Sequence, residues 1–243
     1  MATPFSDRRL DADARRTLLR EVIRRTQDAD RPVVVFDLDG TLLDNRARTV
    51  AIFNELADQT DDASMAAGLR RARVETTVYG LEENLDLLGV AASQHPAAFA
   101  FWRERFFHDD YMHHDVAMPG AVAFARAVYA AGANIVYLTG RDLPGMALGT
   151  FGSLRDEGFP IGVVGTELVV KPDFETPDAT FKADVAQALG RLGEVVASFD
   201  NEAANCNLLL EHHPKSIAVF VDTLCAPNAP PLAPEVQVID HFD

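Results

Sequence analysis

The stretch Arg31-Pro32-Val33-Val34-Val35-Phe36-Asp37-Leu38-Asp39-Gly40-Thr41-Leu42 decides how this chain is read. A run of β-branched residues and one aromatic, opened by proline and closed by Asp-Gly, predicts a buried strand that ends in a tight turn. Asp37 and Asp39 then stand at the carboxyl end of that strand. In open α/β sheets this edge is where ligands bind, because the loops leaving it converge on one crevice. An isolated Asp-x-Asp-Gly can equally be turn punctuation, so the neighbouring segments decide.

Working outward, the same pattern recurs. Residues 134–138 (Asn-Ile-Val-Tyr-Leu) form a short apolar run ending at Thr139-Gly140-Arg141, and 194–199 end at Asp200-Asn201-Glu202. Further strands are expected at 167–170, before Lys171-Pro172, at 216–221, and as an edge strand at 236–239 after a Pro-rich loop over 227–234. Helices are expected at 121–131, 143–157, 178–189 with Asp178 as N-cap, and 205–211, with His212-His213 capping the last. Strands alternating with helices predict a parallel sheet with helices on both faces.

Before the first strand, residues 6–28 read as an amphipathic helix in two pieces, its arginines facing water. After it, 46–57 is helical, and 63–74, 81–88 and 95–107 follow with no strand-like run between them; Pro96 suits a first helical turn. These segments predict an all-helical insertion of roughly 60–70 residues, too long for a simple loop. The expected organisation is an α/β core of residues 1–44 and 117–243, with residues 45–116 as a helical cap.

Length and composition fit a core domain with one insertion: 243 residues, 48% hydrophobic. No apolar run approaches the ~20 residues that span a bilayer, and the charged N-terminus has no signal-peptide pattern, so the expected location is the cytoplasm. Cys206 and Cys225 have no metal-type spacing and read as ordinary thiols. A formal charge of −15 repels polyanions, and no basic run offsets it.

Parallel strands would bring Asp37, Asp39, Thr139, Asp200 and Glu202 to one sheet edge, where the carboxylates repel one another. A divalent cation relieves that. Magnesium fits a hard-oxygen donor set without His or Cys.

At these residues the chain resembles the haloacid dehalogenase-like superfamily of hydrolases. Asp37-Leu38-Asp39-Gly40-Thr41 matches that family's first motif, Thr139 after an apolar strand the second, a lysine ahead of the fourth strand the third, and Asp200 the fourth. The likeness covers about Arg31 to Val221 and implies a three-layer Rossmann-like parallel core with an inserted all-helical cap. It also implies a mechanism. Asp37 attacks phosphorus to give an aspartyl-phosphate, while Asp39 protonates the leaving oxygen and then activates water. Mg2+ sits on Asp37, the Asp39 main-chain carbonyl and Asp200, and Thr139, Gly140 and a lysine hold the phosphate. Family members that cleave carbon–halogen bonds lack the second aspartate, so Asp39 favours phosphoryl transfer.

The lysine is either Lys182, placed early in a helix from which it can reach back to the sheet edge, or Lys171. The fourth motif departs from the common pattern, with Asn201 after Asp200 and Ala204 where a second aspartate often stands; Asn201 and Glu202 are candidates for the outer metal shell. The cluster from His108 to Asp115 reads as a polar connection where the insertion rejoins the core, or as a wall of the cleft. Phe101, Trp102, Phe106 and Phe107 read as helix packing. Arg141 meets either substrate phosphate or an acidic neighbour.

The expected activity is magnesium-dependent hydrolysis of a small phosphate monoester. The expected partner is a small phosphorylated metabolite, not nucleic acid or a membrane, for a monomer or homodimer. A phosphotransferase or mutase and a non-catalytic phosphate- or partner-binding protein are the rival readings.

Overall fold

Five consecutive residues that are all buried, Pro32–Phe36, form the central strand of the sheet. The computed structural model describes residues 4–243. In chain order its elements are α1 (Ala12–Asp28), β1 (Pro32–Phe36), β2 (Leu43–Asp44), α2 (Arg46–Gln59), α3 (Ala63–Leu69), α4 (Leu81–Leu87), α5 (His95–Phe106) and β3 (Val116–Ala117). There follow α6 (Ala121–Ala130), β4 (Asn134–Asp142), α7 (Leu143–Glu157), β5 (Thr166–Lys171), α8 (Asp178–Ala188), β6 (Glu194–Asp200), α9 (Ala203–His212), β7 (Ile217–Val221) and β8 (Gln237–Ile239).

Six strands run parallel in the order β5-β4-β1-β6-β7-β8. The chain leaves β1 for β4 and β5 on one side, then returns to β6 on the other. Strand order therefore reverses around β1, the place where crevices form in such sheets. Side-chain alternation builds the layers. Val34 and Phe36 join Leu19, Val22, Phe124, Val128, Tyr137 and Phe199 on the face covered by α1, α6 and α7. Val33 and Val35 join Val136, Leu138, Phe181, Leu189 and Leu209 under α8 and α9. Phe36 stacks on Phe199 with ring centroids 5.0 Å apart, so the strand that carries Asp37 is locked to the strand that carries Asp200.

Between β2 and β3 lie α2 to α5, with a core of their own: Phe53, Leu56, Met65, Leu69, Leu85, Val90 and Ala98. The expected helix 63–74 resolves into the shorter α3 and a 3-10 turn at Val74–Thr76, while α2 runs two residues past the expected 46–57. The two-residue ribbon β2–β3, antiparallel, was not foreseen. It ties together the two points where this helical segment leaves and rejoins the core. β4 also differs from the expected 134–138, continuing through Thr139-Gly140-Arg141 to Asp142 after a register shift against β5. Asp178 is the first residue of α8 and not its cap; Pro177 holds that position without a side-chain bond. His213 is the C-cap of α9, its amide donating to the Leu209 carbonyl (2.9 Å), while its ring meets the Ala186 carbonyl of α8 (2.9 Å).

One close approach positions the segment before β3. The 3-10 turn Asp109–His114 lies against α7, where the Gly149 amide donates to Asp109 Oδ1 at 2.6 Å. A Cβ on Gly149 would stand 2.8 Å from the Asp109 Cα and carbonyl carbon. Alanine in mid-helix ordinarily gains about 1 kcal/mol over glycine; here backbone collision outweighs that. Gly149→Ala should lower stability by ~1–3 kcal/mol, measurable as a lower denaturation midpoint with unchanged m-value.

Candidate active site

The carboxyl ends of β1, β4 and β6 bring together Asp37, Thr139 and Asp200. The Asp37 amide donates to the Phe199 carbonyl (2.9 Å), which extends the β1–β6 ladder one residue and fixes the side chain at the edge. Lys182, early in α8, places Nζ 2.8 Å from Asp37 Oδ1 and 2.8 Å from Asp200 Oδ2. All three side chains are buried. Asp200 Oδ1 accepts from the Glu202 amide (2.8 Å) and from Asn205 Nδ2 (3.1 Å), so its orientation is set from α9.

Two carboxylates share one ammonium, which leaves an excess negative charge. Burial, reinforced by Asp200 and opposed by Lys182, pushes Asp37 up to about 7. The same pair holds Lys182 well above its ordinary value despite its burial. Lys171 lies elsewhere: its ammonium pairs with Asp178 Oδ1 at 2.8 Å and reaches the Phe174 carbonyl.

The turn after Asp37 is wound tightly. The amides of Thr41, Leu42 and Leu43 converge on the Leu38 carbonyl at 2.9–3.0 Å. Gly40, at φ +77°, meets the Asn201 and Thr223 side chains so closely that a Cβ would overlap Asn201. The Asn201 amide is thereby spent on the fold, donating to the Leu224 carbonyl and accepting from the Thr41 hydroxyl (3.4 Å). Glu202 lines the cleft, and burial together with Asp200 raises its carboxyl above the usual range. The Thr139 hydroxyl is buried and accepts the Arg141 amide (3.3 Å), while Gly140 opens on the cleft.

Asp39 is held in an unexpected way. Arg141 grips it with Nε to Oδ2 (2.9 Å) and Nη2 to Oδ1 (2.7 Å), and Oδ1 also accepts from Arg48 (3.1 Å) and Asn45 (3.0 Å). Behind them Asp115 takes a two-pronged bond from Arg48 (2.8 and 2.7 Å) and a third from Arg141 (2.6 Å). Two arginines and two aspartates thus form a neutral cluster in which both guanidinium groups are buried. Burial alone would raise Asp39, but the two arginines outweigh it and hold the carboxyl below the usual range. This departs from the acid role expected for Asp39: a carboxylate so gripped keeps no proton at neutral pH to give to a leaving group. Of the two partners expected for Arg141, substrate phosphate or an acidic neighbour, the structure shows the acidic neighbours Asp39 and Asp115.

Arg48, Asp115, Asn45 and Asn205 were not foreseen in these roles. Arg48 did leave a signal, since it stands four residues before Ile52 and eight before Leu56, on the buried stripe of α2. Within the His108–Asp115 cluster, His113 and His114 lie against each other with rings tilted (3.9 Å), Asp115 turns into the charged cluster, and buried Met112 reaches Arg141 through its sulfur (3.2 Å).

Above these groups lies a cleft of about 550 Å3, lined from the core by Asp37, Asp39, Thr139, Lys182 and Glu202 and from the helical segment by Thr49, Val78, Tyr79, Leu81, Trp102, Phe106 and Phe107. The aromatic residues of α5 are therefore split, contrary to the expectation of simple packing. Phe101 packs on the helical segment's core, Trp102 packs on that core and also lines the cleft, and Phe106 and Phe107 face the cleft.

The family model of haloacid dehalogenase-like hydrolases matches residues 32–204, from the opening of β1 to the start of α9. This chain belongs to the haloacid dehalogenase-like hydrolases. Among solved structures, Protein Tyrosine Kinase A of Mycobacterium tuberculosis is similar in fold at a TM-score of 0.53 and 16% identity, covering 89% of this chain and 96% of that one. A haloacid dehalogenase-like hydrolase from Burkholderia xenovorans gives 0.51 and 16%, covering 87% and 95%. A search of curated proteins finds no match. Among the described residues no helix of this hydrolase is long and apolar enough to cross a membrane.

Proposed function

We propose that this hydrolase cleaves a small phosphate monoester with Asp37 as nucleophile, in a magnesium-dependent reaction, beneath a cap formed by α2 to α5. The observation that carries the reading is the meeting of Asp37, Asp200 and Lys182 at one sheet edge, with 2.8 Å separating the ammonium from each carboxylate. The residues fit a hard divalent cation. Two buried carboxylates remain under-neutralised by one lysine, and the neighbouring Asp39 carbonyl offers another oxygen donor. Among the described residues no group of three or more His, Cys, Asp or Glu side chains is arranged as a ligand set. Magnesium itself takes few carboxylates and completes its shell with water and phosphate. When bound by Asp37, Asp200 and the Asp39 carbonyl, magnesium would screen nucleophile from phosphate and polarise a phosphoryl oxygen.

In the first step an Asp37 carboxylate oxygen bonds to phosphorus and the ester P–O bond breaks, the departing oxygen taking its proton from a protonated Asp39 that Arg141 has released; Asp39 regains a proton from the attacking water in the second step. In the second, water attacks the same phosphorus, the Asp37–phosphate bond breaks, and inorganic phosphate departs. Lys182, the Thr139 hydroxyl and the Gly140 amide would hold the phosphoryl oxygens. Asp39, ionised in its clamp, suits the base of the second step; acting as donor in the first requires Arg141 to release one oxygen. Halide displacement is the second reading that this clamp favours, because a halide leaves without a proton.

Phosphate release from a panel of monoesters, with and without magnesium, tests the reading, and chloride release from 2-chloropropionate tests the second. Lys182→Met should cut kcat/KM by at least about a hundredfold, whereas Lys171→Met should stay within about threefold, its partner Asp178 being solvated. Equal losses in the two variants would remove Lys182 from its assigned role.

A further inference from the structure

We propose that the substrate is a phosphate ester whose alcohol portion carries an aromatic ring, recognised by the wall that Trp102, Phe106 and Phe107 present to the cleft. This rests on the phosphatase reading of the same site and names its substrate class.

The wall is built as a ring-binding surface. Trp102 stacks on Phe106 with centroids 4.2 Å apart and planes 23° apart, while Phe107 stands edge-on to both, at 5.8 and 5.1 Å. The three rings brace one another and all line the cleft; Phe106 is covered by Trp102 and by the Arg48 guanidinium, 4.3 Å from its centroid, so the ring surface left for a ligand is that of Trp102 and Phe107. Val78 and Leu81 extend the apolar surface.

Most polar groups on this side are already spent, and the hydroxyl of the half-exposed Tyr79 is turned to Glu202. The Trp102 indole N–H donates to Thr49 Oγ1 (3.2 Å), and the Asn84 amide is used three times on Val78 and Gly80 (2.7–2.9 Å). The Thr77 hydroxyl goes to the Arg73 carbonyl (2.9 Å), and the Arg46 guanidinium is closed on Asp44. A polyhydroxylated sugar needs donors and acceptors from this wall and would find most of them engaged, leaving its own hydroxyls desolvated and unpaired. A flat ring asks only for a π-face. The volume of the cleft, about 550 Å3, is that of a small-molecule site.

Trp102 is the only tryptophan in the chain, so its emission reports on this wall alone. Binding of phenyl phosphate, adenosine 5′-monophosphate, ribose 5-phosphate and glycerol phosphate is measured in the Asp37→Asn chain by calorimetry and Trp102 fluorescence. Turnover of the same four is measured in the natural chain. The aromatic esters should bind roughly ten- to a hundredfold more tightly than ribose 5-phosphate, the range of base–aromatic stacking, with saturable change in Trp102 emission. Their kcat/KM should exceed that of ribose 5-phosphate by a similar factor, and Phe107→Leu should narrow the gap. The ratio between phenyl phosphate and the nucleotide distinguishes an aryl ester from a nucleoside ester.

Equal binding and equal kcat/KM for ribose 5-phosphate would overturn the inference and leave the phosphatase reading standing. Aromatic esters that bind with altered emission but release no phosphate would do the reverse. Failure of all four to bind or turn over would overturn both.

Discussion

Asp37→Asn is expected to reduce turnover at least about a thousandfold and yet to make the metal-free protein more stable at pH 8. The first half follows from removing the oxygen proposed above to attack phosphorus. The second follows from burial. Asp37 is pushed up to about 7 in the folded chain, above its ordinary value of 3.8. Below about pH 4 both folded and unfolded chains hold the proton, and the carboxyl costs the fold nothing. Between 4 and 7 the unfolded chain releases its proton while the folded chain keeps it, so stability falls as pH rises through this window. Asparagine does not ionise, and Lys182 retains Asp200 as its partner.

The gain of the variant over the natural chain should therefore grow from pH 4 to 7 and then level off, at a value on the order of 2–4 kcal/mol. At ~2–4 °C per kcal/mol for a chain of this size, that is roughly 4–15 °C in Tm. Thermal melts in chelator across pH 4–8 measure it. Magnesium should then raise the Tm of the natural chain more than that of the variant, since binding to the folded state alone stabilises it. A variant less stable than the natural chain at pH 8 would show that Asp37 is not an under-neutralised carboxylate.

Asp115→Asn should be the most destabilising of the isosteric changes near the cleft. Asp115 is buried and takes three of the bonds made by Arg48 and Arg141. Its neutralisation leaves two buried guanidinium groups facing the single carboxylate of Asp39. Breaking a buried ion pair from one side costs ~3–5 kcal/mol, or roughly 6–20 °C in Tm. Adding Arg48→Met restores neutrality, with Arg141 and Asp39 still paired, so the double variant should be more stable than the single one. Chemical denaturation of the three chains is the check. A single-variant loss below ~1 kcal/mol would mean that water already screens the cluster.

The parts of this architecture visible in the sequence are those carried by short-range patterns. The apolar runs of β1, β4, β6 and β7 are each followed by a polar group, and a parallel sheet then brings Asp37, Thr139 and Asp200 to one edge whatever their separation. Lys182 was legible because its place early in a helix fixes its reach. The Arg48–Asp115 pair was not, since its members stand 67 residues apart and meet only after the helical segment has folded back. Nor were β2 and β3, whose two residues apiece form no periodic signal. Trp102, Phe106 and Phe107 show another limit. An apolar stripe on a helix records that water is kept away, and a core and a ligand-binding wall require that equally. Sequence spacing does not separate Phe101, in the core, from its neighbours in the cleft.

The charged cluster also governs how the roof of the cleft can move. Arg48 belongs to the first helix after the chain leaves the sheet, Asp115 to the residues just before it returns, and Arg141 and Asp39 to the sheet edge. Both crossings are thereby riveted at the root to the carboxylate that stands beside the chemistry. A wholesale swing of the roof would tear Asp39 out of its grip, whereas bending farther out, around α3 and α4, would leave it untouched. Admission of substrate and the aim of Asp39 are separable for the second kind of motion and inseparable for the first.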